Sequence, residues 1–165
     1  MKPESKLWKH LKQNTESKVF WTRIESWSLP GVPDLHGIIE GKPFWLELKV
    51  HRLKKINSLL LSPHQKLWQI RYSQEKGKVW NLVEHPSSAT LFLFCPPDSL
   101  SVEQKVRLEK ENPLVKEYHK KDKDAELVNP VWQSSAPYDW TGLIHQIESS
   151  MVSQRNRIPN GKSKK

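Results

Sequence analysis

The sequence predicts an α/β protein, a mixed β-sheet flanked by helices, on three observations. Apolar residues near the N-terminus recur at helical spacing. Two strand-like runs then meet at a two-residue glycine turn. A capped helix follows at Ser62 and leads into two further strand-like runs. The predicted order of elements is αβββαββ.

The first helix rests on Glu4, Leu7, Trp8 and Leu11, which fall at i, i+3, i+4 and i+7 and share one face. A carboxylate at the head of an apolar stripe is costly to bury, so Glu4 is either a helix N-terminal acid favoured by the macrodipole or a functional group. Residues 19 to 27 are β-branched and aromatic and read as a strand, which Pro30-Gly31 ends. The runs 34 to 40 and 43 to 50 then read as a hairpin about Gly41-Lys42. Ser62-Pro63-His64-Gln65 opens the next helix with a serine cap, a first-turn proline and a glutamine three residues on. That helix is expected to stop at Gly77, ahead of strands over 78 to 84 and 89 to 95.

Beyond Pro96-Pro97 the composition shifts. A charged helix is expected over 101 to 111 and a polar, proline-punctuated wrap over 112 to 138. A last helix is expected over 139 to 153, on Trp140, Leu143, Ile144 and Ile147. The domain reading is therefore a core over 1–97 and an extension over 98–165 packed on it, with a basic tail from about 154. From 153 the chain holds five basic residues and no acid, and Arg155, Arg157 and Lys162 are candidate phosphate contacts.

At 165 residues the chain suits one domain with a core of its own. Lysine and arginine number 27 against 18 acids, a net charge of +9, which favours a polyanionic partner, DNA first. No run approaches the roughly 18 apolar residues of a membrane span, and no apolar signal core is present. A soluble cytoplasmic protein with no membrane partner is expected, and the sequence leaves a viral or a bacterial origin open. The lone Cys95 can form no internal disulfide and is expected in the core. The eight tryptophans read as packing groups more than as a base-stacking code.

The hairpin carries the chemistry. With Gly41-Lys42 as the turn, Asp34 falls opposite Lys49 and His36 opposite Glu47, so Asp34, His36, Glu47, Lys49 and His51 project to one side. Diagonal cross-strand neighbours lie ~7–8 Å apart at the backbone, close enough for Asp34 and Glu47 to share one cation that offsets their repulsion. An oxygen donor set without thiolates selects Mg2+, with Mn2+ as a substitute, and the backbone carbonyl of Leu48 is a candidate third ligand. Phosphodiester hydrolysis needs an activated water and neutralisation of charge growing on oxygen. A metal beside Lys49 supplies both, with Lys49 orienting or deprotonating the water. Arg52, Lys54 and Lys55, with His51, suit a DNA backbone path next to this strand, though a solvated basic loop explains them equally.

Gly31-Val32-Pro33-Asp34, then Glu47-Leu48-Lys49, resembles the PD-(D/E)XK nuclease motif. Leu61-Ser62-Pro63-His64-Gln65-Lys66-Leu67-Trp68, followed by Gly77 and a strand, is similar to the next segment of the VRR-NUC branch, a group of nuclease and Holliday-junction-resolvase-like domains. The resemblance covers about residues 3 to 84. It implies a restriction-endonuclease-like αβββαβ core with a C-terminal helical or irregular extension. It also implies Asp34 and Glu47 as metal ligands, Lys49 as catalytic lysine, and Glu4 and Gln65 as further catalytic-site residues. The expected activity is a Mg2+-dependent DNA endonuclease acting on branched or structured DNA, working as a homodimer. The alternatives are a sequence-specific endonuclease of restriction or homing type, and a non-catalytic DNA-binding protein on the same fold.

Overall fold

A computed structural model describes residues 2–24, 29–52, 58–98 and 126–155. The expected helix over 101–111, Glu25, Trp27, Lys54, Lys55, the side chain of Arg155, Arg157 and Lys162 lie outside the described residues.

Three helices are described: α1 (Pro3–Thr15), α2 (Pro63–Gln74) and α3 (Trp140–Arg155). The strands are β1 (Phe20–Arg23), β2 (Leu35–Ile39), β3 (Lys42–Val50), β4 (Ser58–Leu59), β5 (Val79–His85), β6 (Thr90–Phe94), β7 (Glu126–Leu127) and β8 (Trp132–Ser135). Six of them form one mixed sheet in the order β1-β2-β3-β5-β6-β8, while β4 and β7 pair separately. Every neighbouring pair in the large sheet is antiparallel except β3 with β5, which α2 connects. A parallel pair needs a crossover of this kind.

Strand alternation sorts the sheet into two unlike faces. Phe44, Leu46 and Leu48 of β3, Trp80 and Leu82 of β5, and Leu91 and Leu93 of β6 point to one side. There they bury against Leu7 and Leu11 of α1 and Leu143, Ile144, Ile147 and Met151 of α3. On the other face Val83, Phe92 and Phe94 make a smaller cluster with Leu59 and Leu61, and α2 covers the rest. On the α1 and α3 face, Gly37 leaves room for the rings of its two neighbours, since a Cβ would lie 2.6 Å from the Phe44 ring and 3.0 Å from that of Trp21.

The hairpin turn sits one residue earlier than the sequence suggested. Ile39 pairs with Lys42 around Glu40-Gly41, and both turn residues have positive φ, 47° and 77°. That is the backbone of a type I′ turn, whose twist matches the strands; Gly41-Lys42 would have placed lysine where glycine fits best. Two further expectations are corrected. Cys95 is exposed, because β6 ends at Phe94 and Pro96-Pro97 turns the chain away from the sheet. The supposed irregular wrap contains β8, which adds the sixth strand alongside β6.

Candidate active site

The corrected register keeps the predicted face and tightens it. Leu35 pairs with Leu46, so the next position along sets Asp34 opposite Glu47, where the sequence reading had placed Lys49. Asp34 stands just before β2, and its carbonyl accepts a 2.7 Å hydrogen bond from the Ile24 amide, which holds β1 alongside. Its carboxylate turns onto β3: Oδ2 accepts from the Leu48 amide at 2.9 Å.

Odd positions of β3 use their backbone groups on β5, as the Trp45 and His51 amides do with Lys78 and Glu84. Even positions therefore face β2, and Leu48 looks towards Pro33, which has no N–H to offer. The Asp34 side chain takes up the Leu48 amide in place of a strand partner. Strand parity turns the Leu48 carbonyl to the same side, where Pro33 offers it no N–H.

Glu47 and Lys49 are 3 % and 5 % exposed, in the middle of the sheet, next to Asn81 and Val83 of β5. The Lys49 ammonium donates to Gln65 Oε1 at 3.0 Å, and the same oxygen accepts the Ser62 amide at 3.0 Å. The Gln65 amide in turn donates to Ser62 Oγ at 3.2 Å, closing a capping box. One glutamine thus both starts α2 and fixes the lysine. The loop before Asp34 seats on the same helix end: Gly31 has φ 83°, and a Cβ there would press on the backbone carbonyl of His64.

The remaining predicted residues are placed as follows. Glu4 is half-buried in the first turn of α1, and Ser5 Oγ beside it accepts from Arg23 at 3.3 Å, bringing that helix end to the Asp34 end of the sheet. His36 pairs with Trp45, and their rings meet edge to face at 4.9 Å. His51 is turned inward, with Nε2 accepting from the Leu60 amide at 3.1 Å, whereas Arg52 is exposed.

Sequence reasoning missed the polar groups that seat α2. Its sheet-facing positions are Pro63, Lys66 and Gln69, and Gln69 exchanges two 2.8 Å hydrogen bonds with Asn81, both residues being fully buried. The signal was present as a lone asparagine inside the apolar run VWNLV and as two polar residues three apart on a helix whose leucine and tryptophan lie elsewhere.

Among the described residues no three His, Cys, Asp or Glu side chains converge. Two carboxylates with a carbonyl nonetheless suit Mg2+, which keeps several waters and commonly takes only one or two protein carboxylates.

No protein-family model matches the chain, and neither does any curated protein. Among solved structures it is similar to Hjc of Archaeoglobus fulgidus, a Holliday junction resolvase from an archaeal hyperthermophile. The identity is 14% and the TM-score 0.43, over 57% of this chain and 73% of that one. Among the described residues no helix is long and apolar enough to cross a membrane.

Proposed function

We propose that this protein is a Mg2+-dependent endonuclease of the PD-(D/E)XK kind, VRR-NUC-like, that hydrolyses phosphodiester bonds of branched or otherwise structured DNA. The observation that carries the reading is the pairing of Asp34 with Glu47 across one hairpin, with Lys49 on the same face and fixed by Gln65. Two buried charged residues at the centre of a sheet are costly to fold around. A substrate that uses both charges explains their retention.

In this mechanism Asp34, Glu47 and the Leu48 carbonyl would hold the cation. When bound, it supplies Lewis acidity and a water of lowered pKa. The Leu48 amide fixes one oxygen of Asp34, and the other would be the one offered to a cation. Lys49 spends one of its three donors on Gln65; the others reach the attacking water and a non-bridging phosphate oxygen, where negative charge grows. The N-terminal end of the α2 dipole adds a favourable field for the phosphate. Glu4 enters from α1 as a further acid at that end of the sheet. Arg52, with Lys54 and Lys55, carries the flanking backbone, and Arg155, Arg157 and Lys162 add non-specific attraction. A symmetric homodimer would present two such sites to two strands.

The test is cleavage of a four-way junction, a linear duplex and a single strand, each with Mg2+, Mn2+ or EDTA. Metal-dependent cutting of the junction in preference to the duplex is expected. Binding without cutting under any metal would overturn the assignment.

A further inference from the structure

Helix α2 is turned inside out. Its polar Lys66 and Gln69 are buried towards the sheet, while Leu67, Trp68 and Tyr72 are only half-buried, the last two on the flank beside Trp45 of β3. Trp68 and Tyr72 stack at 4.7 Å with planes 13° apart, and Trp45 of β3 meets them edge-on at 5.5 and 6.5 Å. His36 extends the row to β2. Gly77 lets the Tyr72 ring lie against its backbone, where a Cβ would collide with it. The rings are therefore held in place before anything binds. They border a groove of about 470 Å³ lined by Pro30, His64, Leu67, Arg71 and Glu75 with the two stacked aromatics.

Position along the elements ties this shelf to the site. Trp45 precedes Glu47 by two residues on the same face of β3, roughly 7 Å along the strand. Trp68 follows Gln65 by one helical turn. A strand whose phosphate sits at Asp34 and Glu47 thus carries its neighbouring nucleotide across the rings. Arg71 is exposed at the rim for the backbone, in a chain of net charge +9. Bases inside a duplex have both faces covered by stacked neighbours, whereas an unpaired base can turn a face to such a shelf.

We propose that the Trp45, Trp68 and Tyr72 shelf stacks an unpaired base beside the scissile phosphate, making a locally single-stranded nucleotide at a branch point the feature this site selects. The inference rests on the nuclease reading for the position of the phosphate, but its test needs no cleavage. In EDTA, the full-length protein is titrated into two DNAs. One is a flapped duplex with 2-aminopurine as the unpaired base next to the branch; the other is the fully paired duplex of the same length. The wild type should quench the 2-aminopurine and bind the flap more tightly than the duplex. Trp68→Ala should abolish the quenching and weaken flap binding about tenfold, with duplex affinity unchanged. Tyr72→Phe, which keeps the ring, should behave as wild type.

Equal weakening on both DNAs would overturn the proposal. So would quenching that survives Trp68→Ala, a changed oligomeric state with DNA binding intact, or a lowered melting temperature with an unaltered flap-to-duplex ratio. Flap-selective stacking by a protein that cuts nothing with Mg2+ or Mn2+ would sink the nuclease reading and leave the shelf standing. Junction cutting unaffected by Trp68→Ala would do the reverse.

Discussion

Gln69 and Asn81 bind each other amide to amide, with two 2.8 Å hydrogen bonds joining α2 to β5 at the rung where Asn81 pairs with Glu47. Breaking one side strands the other. Gln69→Leu should cost about 1–3 kcal/mol by leaving the Asn81 amide unsatisfied. The Gln69→Leu/Asn81→Leu double variant should regain much of that loss. Urea midpoints of the two single variants and the double one check it; additive losses would mean that the pair is not coupled.

Gln65 serves two acceptor contacts with one oxygen, so Gln65→Ala should act twice. Loss of the capping box should lower stability by about 0.5–2 kcal/mol. Release of Lys49 should slow cleavage on the order of 10²-fold, as misplaced catalytic groups do. Single-turnover rates at saturating enzyme separate this from weakened DNA binding, which should change little.

Glu47→Gln removes one of the two facing carboxylates at nearly constant shape. Cleavage should be lost while DNA affinity stays near that of the wild type. Mg2+ at ~100 times its dissociation constant should stabilise the wild type by about 2.7 kcal/mol. The variant should lose most of that shift in a melting experiment without DNA. A wild type indifferent to Mg2+ and Mn2+ would speak against a shared cation.

Gly31 combines φ 83° with a backbone approach to His64 that leaves no room for a methyl group. Gly31→Ala should cost at least roughly 1–2 kcal/mol from the left-handed backbone alone. It should also slow cleavage, because the loop that delivers Asp34 must lift from α2. A stability loss with a normal cleavage rate would show that Asp34 is placed independently of this loop.

Tyr138 donates to Glu84 Oε2 at 2.9 Å, and burial, that hydrogen bond and the Glu84 charge all hold the phenol above its ordinary range. A raised folded-state value means the contribution is complete below the unfolded value, about 10, and is lost as pH climbs through the folded one. Alkaline unfolding should therefore steepen above about pH 10. Tyr138→Phe should remove that component, as measured by denaturation midpoints between neutral and alkaline pH.

The elements legible in the sequence were those with a local signature. The capping box at Ser62, the apolar stripe of α1 and the alternation in β2 and β3 each state their own structure, and the αβββαβ order followed from them. Face assignment of Asp34, Glu47 and Lys49 was legible for the same reason: alternation depends only on parity, and a turn displaced by one residue preserves it. Choosing which pair lies opposite needed the turn itself, where positive φ at Glu40 had no marker as plain as glycine.

The fixtures around the site were less legible, because they depend on distant partners. Nothing near Asn81 announces Gln69, and nothing in WQSS announces that β6 has an open edge for it to join. The face that helix α2 turns to the sheet was not legible either, because it buries Lys66 and Gln69 where an apolar stripe would have marked it.

The nine residues of β3 lie between β2, which pairs with Lys42–Leu46, and β5, which pairs with Trp45–Val50. Amide hydrogens there should be among the slowest in the molecule to exchange with solvent, opening only when the whole sheet comes apart. Glu47, Leu48 and Lys49 hold to this core through β5, with the Asp34 carboxylate closing the other side at Leu48. Heat should extinguish cutting at the temperature at which the chain unfolds, with no inactive folded form preceding it.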